Sequence, residues 1–246
     1  MALNETSIRR RGIYLLPNLL TTGALFAGFY AITSAMNERY ETAVVSIFVA
    51  MILDGLDGRV ARLTNTQSEF GGEYDSLSDM VSFGAAPALV MYLWAFASLG
   101  RVGLFAAFVH TAGAALRLAR FNTQIETADK RYFQGLPSPA AAAILAGFIW
   151  ICLEHGYAID TVKYLALALT VATGLLMVSN FRYSSFKTVD FKGKVPFFSA
   201  IAIMLGIGFI MAQPQTMLFL LFLAYAVSGP AITLIQRKRM LQERKG

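Results

Sequence analysis

Long apolar runs alternate with short polar segments along almost the whole chain. The runs recur at about 14–36, 40–63, 75–98, 101–120, 138–155, 160–179, 196–212 and 214–236. Each is long enough, or nearly so, to cross ~30 Å of hydrocarbon at about 1.5 Å per residue of helix. The tight connections between them predict hairpins at 37–39, 99–100 and 213. The pattern therefore predicts an all-α, polytopic integral membrane bundle of about eight transmembrane helices.

The composition agrees with this pattern. Of the 246 residues, 56% are apolar and 15% are charged, a balance typical of membrane proteins rather than soluble enzymes. No repeat or low-complexity linker divides the chain, so we expect residues 1–246 to form a single membrane domain. The one cysteine, Cys152, excludes an intrachain disulfide and predicts a core side chain. His110 and His155 are expected to be a core and a surface residue.

Basic residues outnumber acidic ones by 21 to 15, which gives a net charge of +6. No basic helix is interleaved with aromatic residues in a polar context, so the pattern favours anionic lipids over nucleic acid as the partner. Residues 1–13 contain three consecutive arginines beside apolar residues. They predict either a short interfacial segment on the membrane surface or a disordered tail.

The distribution of Lys and Arg predicts the orientation in the membrane. If the N-terminus is cytoplasmic, 18 of the 21 basic residues lie on the cytoplasmic side, and Arg39, Arg101 and Lys163 lie outside. This asymmetry satisfies the positive-inside rule. We therefore expect a multi-pass protein of the cytoplasmic membrane, with both termini in the cytoplasm.

Four aspartates interrupt the apolar pattern. Asp54 and Asp57 are three residues apart, and Asp75 and Asp79 are four apart, so each pair lies on one helix face. Like charges this close stay ionised only when cations lie between them, and carboxylates suit Mg²⁺ or Mn²⁺ better than zinc. The alternative is that the acids cap helices or face solvent, with Asp75 as an N-cap. The long apolar run before Asp54 argues against it.

The acids belong to a longer pattern that includes the predicted cytoplasmic end of the second helix. The pattern D-x2-D-G-x2-A-R-x8-G-x3-D-x3-D is met at Asp54, Asp57, Gly58, Ala61, Arg62, Gly71, Asp75 and Asp79. It resembles the signature of the CDP-alcohol phosphatidyltransferase family. Further likeness to the phosphatidylserine synthases within that family comes from PNLLT at 17–21, SFGAAPA at 82–88, LRLARFN at 116–122 and GLPSPAAA at 135–142.

The resemblance implies an enzyme that transfers the phosphatidyl group of CDP-diacylglycerol to L-serine and releases CMP. It implies a homodimer and two divalent metal ions, Mg²⁺ or Mn²⁺, with Asp79 also acting as the general base. The implied metal ligands are Asp54, Asp57, Asp75 and Asp79. The implied CDP contacts are Gly58, Ala61, Arg62, Ser68, Pro17 and Asn18.

An amino-acid acceptor requires a cation for its carboxylate, and arginines near the predicted cytoplasmic end of the fourth helix are candidates. Anchoring of the helix by the positive-inside rule explains these arginines almost as well. The candidate acceptor residues are Arg117, Arg120, Asn122, Gln134 and Ser138.

Two other functions fit part of the pattern. Another member of the same family would use glycerol phosphate, inositol or an inositol phosphate, and a phosphorylated acceptor would require a denser basic pocket. An ion-coupled transporter would also keep acids within the membrane. Such a transporter does not require the glycine and arginine spacing of a nucleotide site, and it would release no CMP.

Overall fold

The structure is a computed structural model that describes residues 2–124, 132–184, 208 and 212–243. Within these residues the chain forms seven helices and a small two-stranded ribbon. The helices are α1 (Ala2–Met36), α2 (Tyr40–Leu63), α3 (Glu69–Leu99), α4 (Arg101–Gln124), α5 (Ser138–Glu154), α6 (Ile159–Val178) and α7 (Pro214–Glu243). The ribbon pairs β1 (Tyr132–Gln134) with β2 (Arg182–Ser184) in antiparallel register.

Five of the described helices, α1, α3, α4, α6 and α7, are long and apolar enough to cross a membrane. Helix α5 is apolar but has only 17 residues, and α2 carries Glu41, Asp54 and Asp57 along its length. The prediction of an all-α membrane protein is confirmed. The count of eight spans is not, and the predicted span at 196–212 lies almost wholly outside the described residues.

The helix boundaries depart from the hydropathy pattern at two places. Helix α1 already begins at Ala2, so the predicted interfacial segment is helical and continuous with the first span. Helix α3 begins at Glu69 because Ser68 is its N-cap, with the Ser68 Oγ accepting a hydrogen bond from the Gly71 N–H at 3.0 Å. Asp75 therefore lies inside α3, and the alternative that it caps the helix is wrong.

The short helix α5 lies at the centre of the bundle. It contacts α2, α3, α6 and α7, and every residue from 140 to 149 is buried. Six of these residues are alanine or glycine, whose small side chains allow the neighbouring helices to approach closely. Cys152 is buried at the end of this stretch, which confirms its predicted place in the core.

Helix α3 contains two π-helical turns, at Met80–Ala85 and Tyr92–Phe96. The first turn directly follows Asp79, and its Phe83 carbonyl lies 3.2 Å from the buried His110 Nε2. A π turn leaves backbone carbonyls in need of new partners, and such turns are frequent at functional sites. The prediction of a core role for His110 is confirmed. His155, as predicted, lies on the surface.

Glycine allows α4 and α6 to cross in backbone contact, and this crossing gives a test of the packing. A Cβ atom at Gly174 would lie 2.8 Å from the Val109 carbonyl oxygen and 3.0 Å from the His110 Cα. We expect Gly174→Ala to push the helices apart and to lower the free energy of unfolding by about 1–3 kcal/mol. Unfolding of the purified protein in a denaturing-detergent titration measures this loss.

The matched control is Gly55→Ala, because nothing lies within 4 Å of the methyl group that it adds. Alanine has the higher helix propensity, so this variant should be as stable as the wild type or slightly more stable. Equal losses of stability in the two variants would contradict the close crossing of α4 and α6.

Candidate active site

Helices α2 and α3 bring the four aspartates together. One carboxylate oxygen from each of Asp54, Asp57 and Asp75 lies within 4.8 Å of the other two. Asp79 is not part of this group of three, but it interacts electrostatically with Asp54 and Asp75. Three of the four predicted metal ligands therefore lie together, and the fourth is coupled to them; the four form the acid cluster.

This cluster is short of hydrogen-bond donors. The Oδ1 atoms of Asp75 and Asp79 are buried, and neither has a hydrogen-bond partner among the described residues. Ionised carboxylates only accept hydrogen bonds, so their proximity to one another supplies no donor. Buried anionic oxygens in this state are costly unless a cation takes them up. Because every ligand atom is a carboxylate oxygen, the residues present fit a site for Mg²⁺ or Mn²⁺.

Helix α1 packs across both of the helices that carry the acids. The Thr21 Oγ1 donates a hydrogen bond to the Asp57 Oδ2 at 2.6 Å. From α3, the Ser78 Oγ donates to the Thr21 carbonyl at 3.2 Å, and the Ser82 Oγ donates to the Ala24 carbonyl at 3.0 Å. These bonds fix α1 against α3 on the turns before and after Asp79.

An open pocket lies beside the acids, where α1, the end of α2 and the start of α3 meet. Asp57 and Asp75 line it. The six residues predicted to contact CDP also line it, namely Pro17, Asn18, Gly58, Ala61, Arg62 and Ser68. The structure therefore brings the predicted nucleotide residues and two of the acids into one pocket.

Three further pocket residues, Thr21, Thr66 and Gln67, were missed by the sequence analysis. Thr66 and Gln67 belong to the link between α2 and α3, where Asn65 turns the chain with φ 51° and the Thr66 N–H bonds to the Ala61 carbonyl. The sequence signal that could have identified Thr66 and Gln67 is their place in the polar link between the Asp54–Asp57 pair and the Asp75–Asp79 pair. Thr21 ends the PNLLT segment, of which only Pro17 and Asn18 are predicted CDP contacts.

Arg117 approaches the acids from α4. Its Nη1 donates a hydrogen bond to the Ser138 Oγ at 2.8 Å, and its charge acts on both Asp54 and Asp79. The Arg117 Nε is buried and has no hydrogen-bond partner among the described residues. Two predicted acceptor residues, Arg117 and Ser138, are thus joined beside Asp79. Tyr225 of α7 also lies within electrostatic range of Arg117, and no sequence signal pointed to it.

Arg120 is directed elsewhere. Its guanidinium donates hydrogen bonds to the carbonyls of Val178 at 3.1 Å and Ser179 at 3.4 Å, and to the Asn180 Oδ1 at 3.3 Å. The C-terminus of a helix leaves such carbonyls without partners inside the helix. Arg120 therefore caps α6, and the structure does not bring it to the acids.

The two remaining acceptor candidates make other contacts. Asn122 joins α4 to α3, because its Oδ1 accepts from the Ser76 Oγ at 3.2 Å and its Nδ2 donates to the Glu73 Oε2 at 3.4 Å. Gln134 is exposed in β1, opposite Arg182 of β2. Asn122 thus contacts the residue next to Asp75, whereas Arg117 and Ser138 meet each other on the side of the acids formed by α4 and α5.

Comparison with known proteins extends these findings. A Helicobacter pylori (strain ATCC 700392 / 26695) protein is 38% identical over 216 residues, covering 87% of this chain and 90% of the relative. A Mycobacterium leprae (strain TN) protein is 31% identical, covering 94% and 78%, and a Bacillus subtilis (strain 168) protein is 35% identical, covering 70% and 91%. All three are named CDP-diacylglycerol--serine O-phosphatidyltransferase. Since the family model for CDP-alcohol phosphatidyltransferase matches residues 14–228, the chain belongs to that family.

Proposed function

We propose that this protein is a transferase that moves the phosphatidyl group of CDP-diacylglycerol to the hydroxyl of L-serine, giving phosphatidylserine and CMP. One observation carries the proposal. The acid cluster lies between a pocket lined by the predicted nucleotide residues and the Arg117–Ser138 pair. The serine acceptor is further supported by the names of the relatives from Helicobacter, Mycobacterium and Bacillus.

The pocket between α1, α2 and α3 is proposed to bind the CDP moiety. Small residues at Gly58 and Ala61 leave room for the nucleoside, and the Arg62 guanidinium is suited to a phosphate. Ser68 lies at the N-terminus of α3, whose first backbone N–H groups favour an anion. Pro17 and Asn18 form the side of the pocket contributed by α1.

The four aspartates are proposed to hold two divalent ions, Mg²⁺ or Mn²⁺. When bound, the ions neutralise negative charge on the diphosphate and on the departing CMP. The family is generally metal-dependent, and the unpartnered carboxylate oxygens of Asp75 and Asp79 support the same assignment.

Asp79 is proposed as the general base. The serine hydroxyl oxygen bonds to the phosphorus that carries the diacylglycerol, the bond from that phosphorus to the oxygen of CMP breaks, and the hydroxyl proton passes to the Asp79 carboxylate. The Arg117 guanidinium binds the serine carboxylate through donors that include its unpartnered Nε. Ser138 holds the guanidinium in place from the start of α5.

We also propose that the active site and both termini face the cytoplasm, and that the chain acts as a homodimer. Arg59, Arg62 and Arg117 lie at the same end of the bundle as the acids, whereas Arg39 and Arg101 lie at the opposite ends of α2 and α4. This distribution supports the orientation through the positive-inside rule. The dimer rests on the family resemblance.

The acceptor is tested by measuring CMP release from CDP-diacylglycerol. Purified protein with Mg²⁺ or Mn²⁺ is offered L-serine, glycerol 3-phosphate, inositol or an inositol phosphate, and we expect serine alone to stimulate CMP formation. Stimulation by glycerol 3-phosphate would overturn the serine assignment. Absence of CMP with every acceptor would favour the ion-coupled transporter.

The role of Asp79 is tested in the same assay. Asp79→Asn should abolish turnover while nucleotide binding persists, because the pocket residues remain.

The metal site is tested by Asp75→Asn, which removes one charge from the cluster with little change of shape. We expect the metal-free variant to be more stable than the wild type, because repulsion between buried carboxylates decreases. Each 1 kcal/mol gained should raise Tm by roughly 2–4 °C. The variant should also lose the rise in Tm that Mg²⁺ or Mn²⁺ gives the wild type.

Thermal unfolding in EDTA and in graded Mn²⁺ measures both effects. Glu73→Gln is the control, because Glu73 is an exposed acid on the same helix. It should retain the metal-dependent rise in Tm. Similar behaviour of Asp75→Asn and Glu73→Gln would refute a metal site at the cluster.

The acceptor pocket is tested by Arg117→Lys, which keeps the charge but loses the planar fork that matches a carboxylate. We expect the KM for serine to rise roughly ten- to hundredfold, in line with the loss of a charge-assisted hydrogen bond, with little change in the KM for CDP-diacylglycerol. Arg120→Ala should lower stability without changing the KM for serine, because Arg120 caps α6. Equal changes in the two KM values of Arg117→Lys would argue against acceptor binding.

A further inference from the structure

We propose that Thr21 is a positioning residue, whose hydroxyl orients the Asp57 carboxylate for divalent-cation binding. The proposal rests on the metal site proposed above. It assigns a function to a residue of α1 outside the aspartate pattern of α2 and α3.

The Thr21 hydroxyl has two acceptors within reach but only one proton. The Asp57 Oδ2 lies at 2.6 Å, and the Pro17 carbonyl oxygen lies at 3.1 Å. A hydrogen bond to an ionised carboxylate is shorter and about twice as strong as one to a neutral carbonyl. The hydroxyl proton therefore belongs to the bond with Asp57 whenever Asp57 is ionised, as a metal ligand must be.

Burial makes this bond a strong constraint. Thr21 and Asp57 are each only 4% exposed, so water does not compete freely for either group. With the Oδ2 held by Thr21, rotation of the Asp57 carboxylate is restricted while its ligand oxygen lies within 4.8 Å of those of Asp54 and Asp75. Asp75 and Asp79 each have a buried oxygen without a partner, so the Thr21 bond distinguishes Asp57 within the cluster.

The hydroxyl can be tested separately from the rest of Thr21. The contact of Thr21 with α3 uses its backbone carbonyl, which accepts from the Ser78 Oγ at 3.2 Å. A side-chain substitution leaves that carbonyl in place. Thr21→Val replaces the hydroxyl with a methyl group of similar size, and Thr21→Ser retains the hydroxyl.

Binding of Mn²⁺ to the purified full chain, followed by the electron paramagnetic resonance signal of free Mn²⁺ without substrates, tests the proposal. We expect Thr21→Val to weaken Mn²⁺ binding by about 10–100-fold, the usual effect of removing a group that orients a metal ligand. Thr21→Ser should bind Mn²⁺ nearly as tightly as the wild type.

Thr22→Val is the matched control. The Thr22 hydroxyl bonds to the Asn18 carbonyl at 2.7 Å and pairs with the Tyr74 hydroxyl at 2.9 Å, on an exposed part of α1. We expect this variant to bind Mn²⁺ as the wild type does. If Thr21→Val does not fold, Thr21→Ala carries the same expectation.

An unchanged Mn²⁺ affinity in Thr21→Val would overturn the proposal. A fall in Tm with unchanged Mn²⁺ affinity would assign Thr21 a purely structural role. Equal weakening in Thr21→Val and Thr21→Ser would also overturn it, because the hydroxyl would then be irrelevant. The metal site itself is checked by Asp57→Asn. If Asp57→Asn binds Mn²⁺ as tightly as the wild type, the proposed metal site fails. If Asp57→Asn loses Mn²⁺ binding but Thr21→Val does not, only the role of Thr21 is refuted.

Discussion

Repulsion among four carboxylates is the constraint on which the rest of the structure depends. The ligand oxygens of Asp54, Asp57 and Asp75 lie within 4.8 Å of one another, and Asp79 interacts with Asp54 and Asp75, so each ionised group raises the cost of ionising the next. The interactions that hold the acid-bearing helices in place are mostly uncharged. For α3 they are the Ser78 and Ser82 bonds to α1 and the contact of His110 with the first π turn, and for α2 the uncharged Thr21 hydroxyl bonds to Asp57. Such bonds resist separation of the helices but do not neutralise the charge of the acids. Cations are therefore needed to neutralise the carboxylates.

Different helices form the two sides of the acid cluster. The nucleotide side is formed by α1, the end of α2 and the start of α3, whereas the opposite side is formed by α4 and α5. The place of Ser138 on that side depends on the turn before α5. Gly135 has φ 77°, its N–H bonds to the Phe181 carbonyl, and the Leu136 N–H bonds to the Leu176 carbonyl. Because the turn is fastened to the end of α6, α5 begins where the Ser138 hydroxyl meets Arg117.

Local sequence patterns predicted much of this site, because helical spacing fixes which side chains share a face. The pairs Asp54–Asp57 and Asp75–Asp79 are of this kind, whereas the residues that line the pocket beside them were expected only from the family resemblance. The start of α3 was misplaced because hydropathy detects the apolar run, whereas the helix begins at the cap provided by Ser68. The bond between Thr21 and Asp57 joins residues 36 positions apart, and spacing along one helix carries no information about it.

The two arginines of α4 show the same limit and bear on the choice of acceptor. Arg117 and Arg120 are three residues apart and looked equivalent in sequence, yet one acts on Asp79 and the other caps α6. On the α4 side of the cluster, within the part of the chain that the structure describes, Arg117 is therefore the cation facing the acids. A phosphorylated alcohol brings close to two negative charges to this side, and one guanidinium would leave part of that charge unmatched. A single guanidinium is matched to a single carboxylate, so the charge balance of this side favours serine over glycerol phosphate or an inositol phosphate.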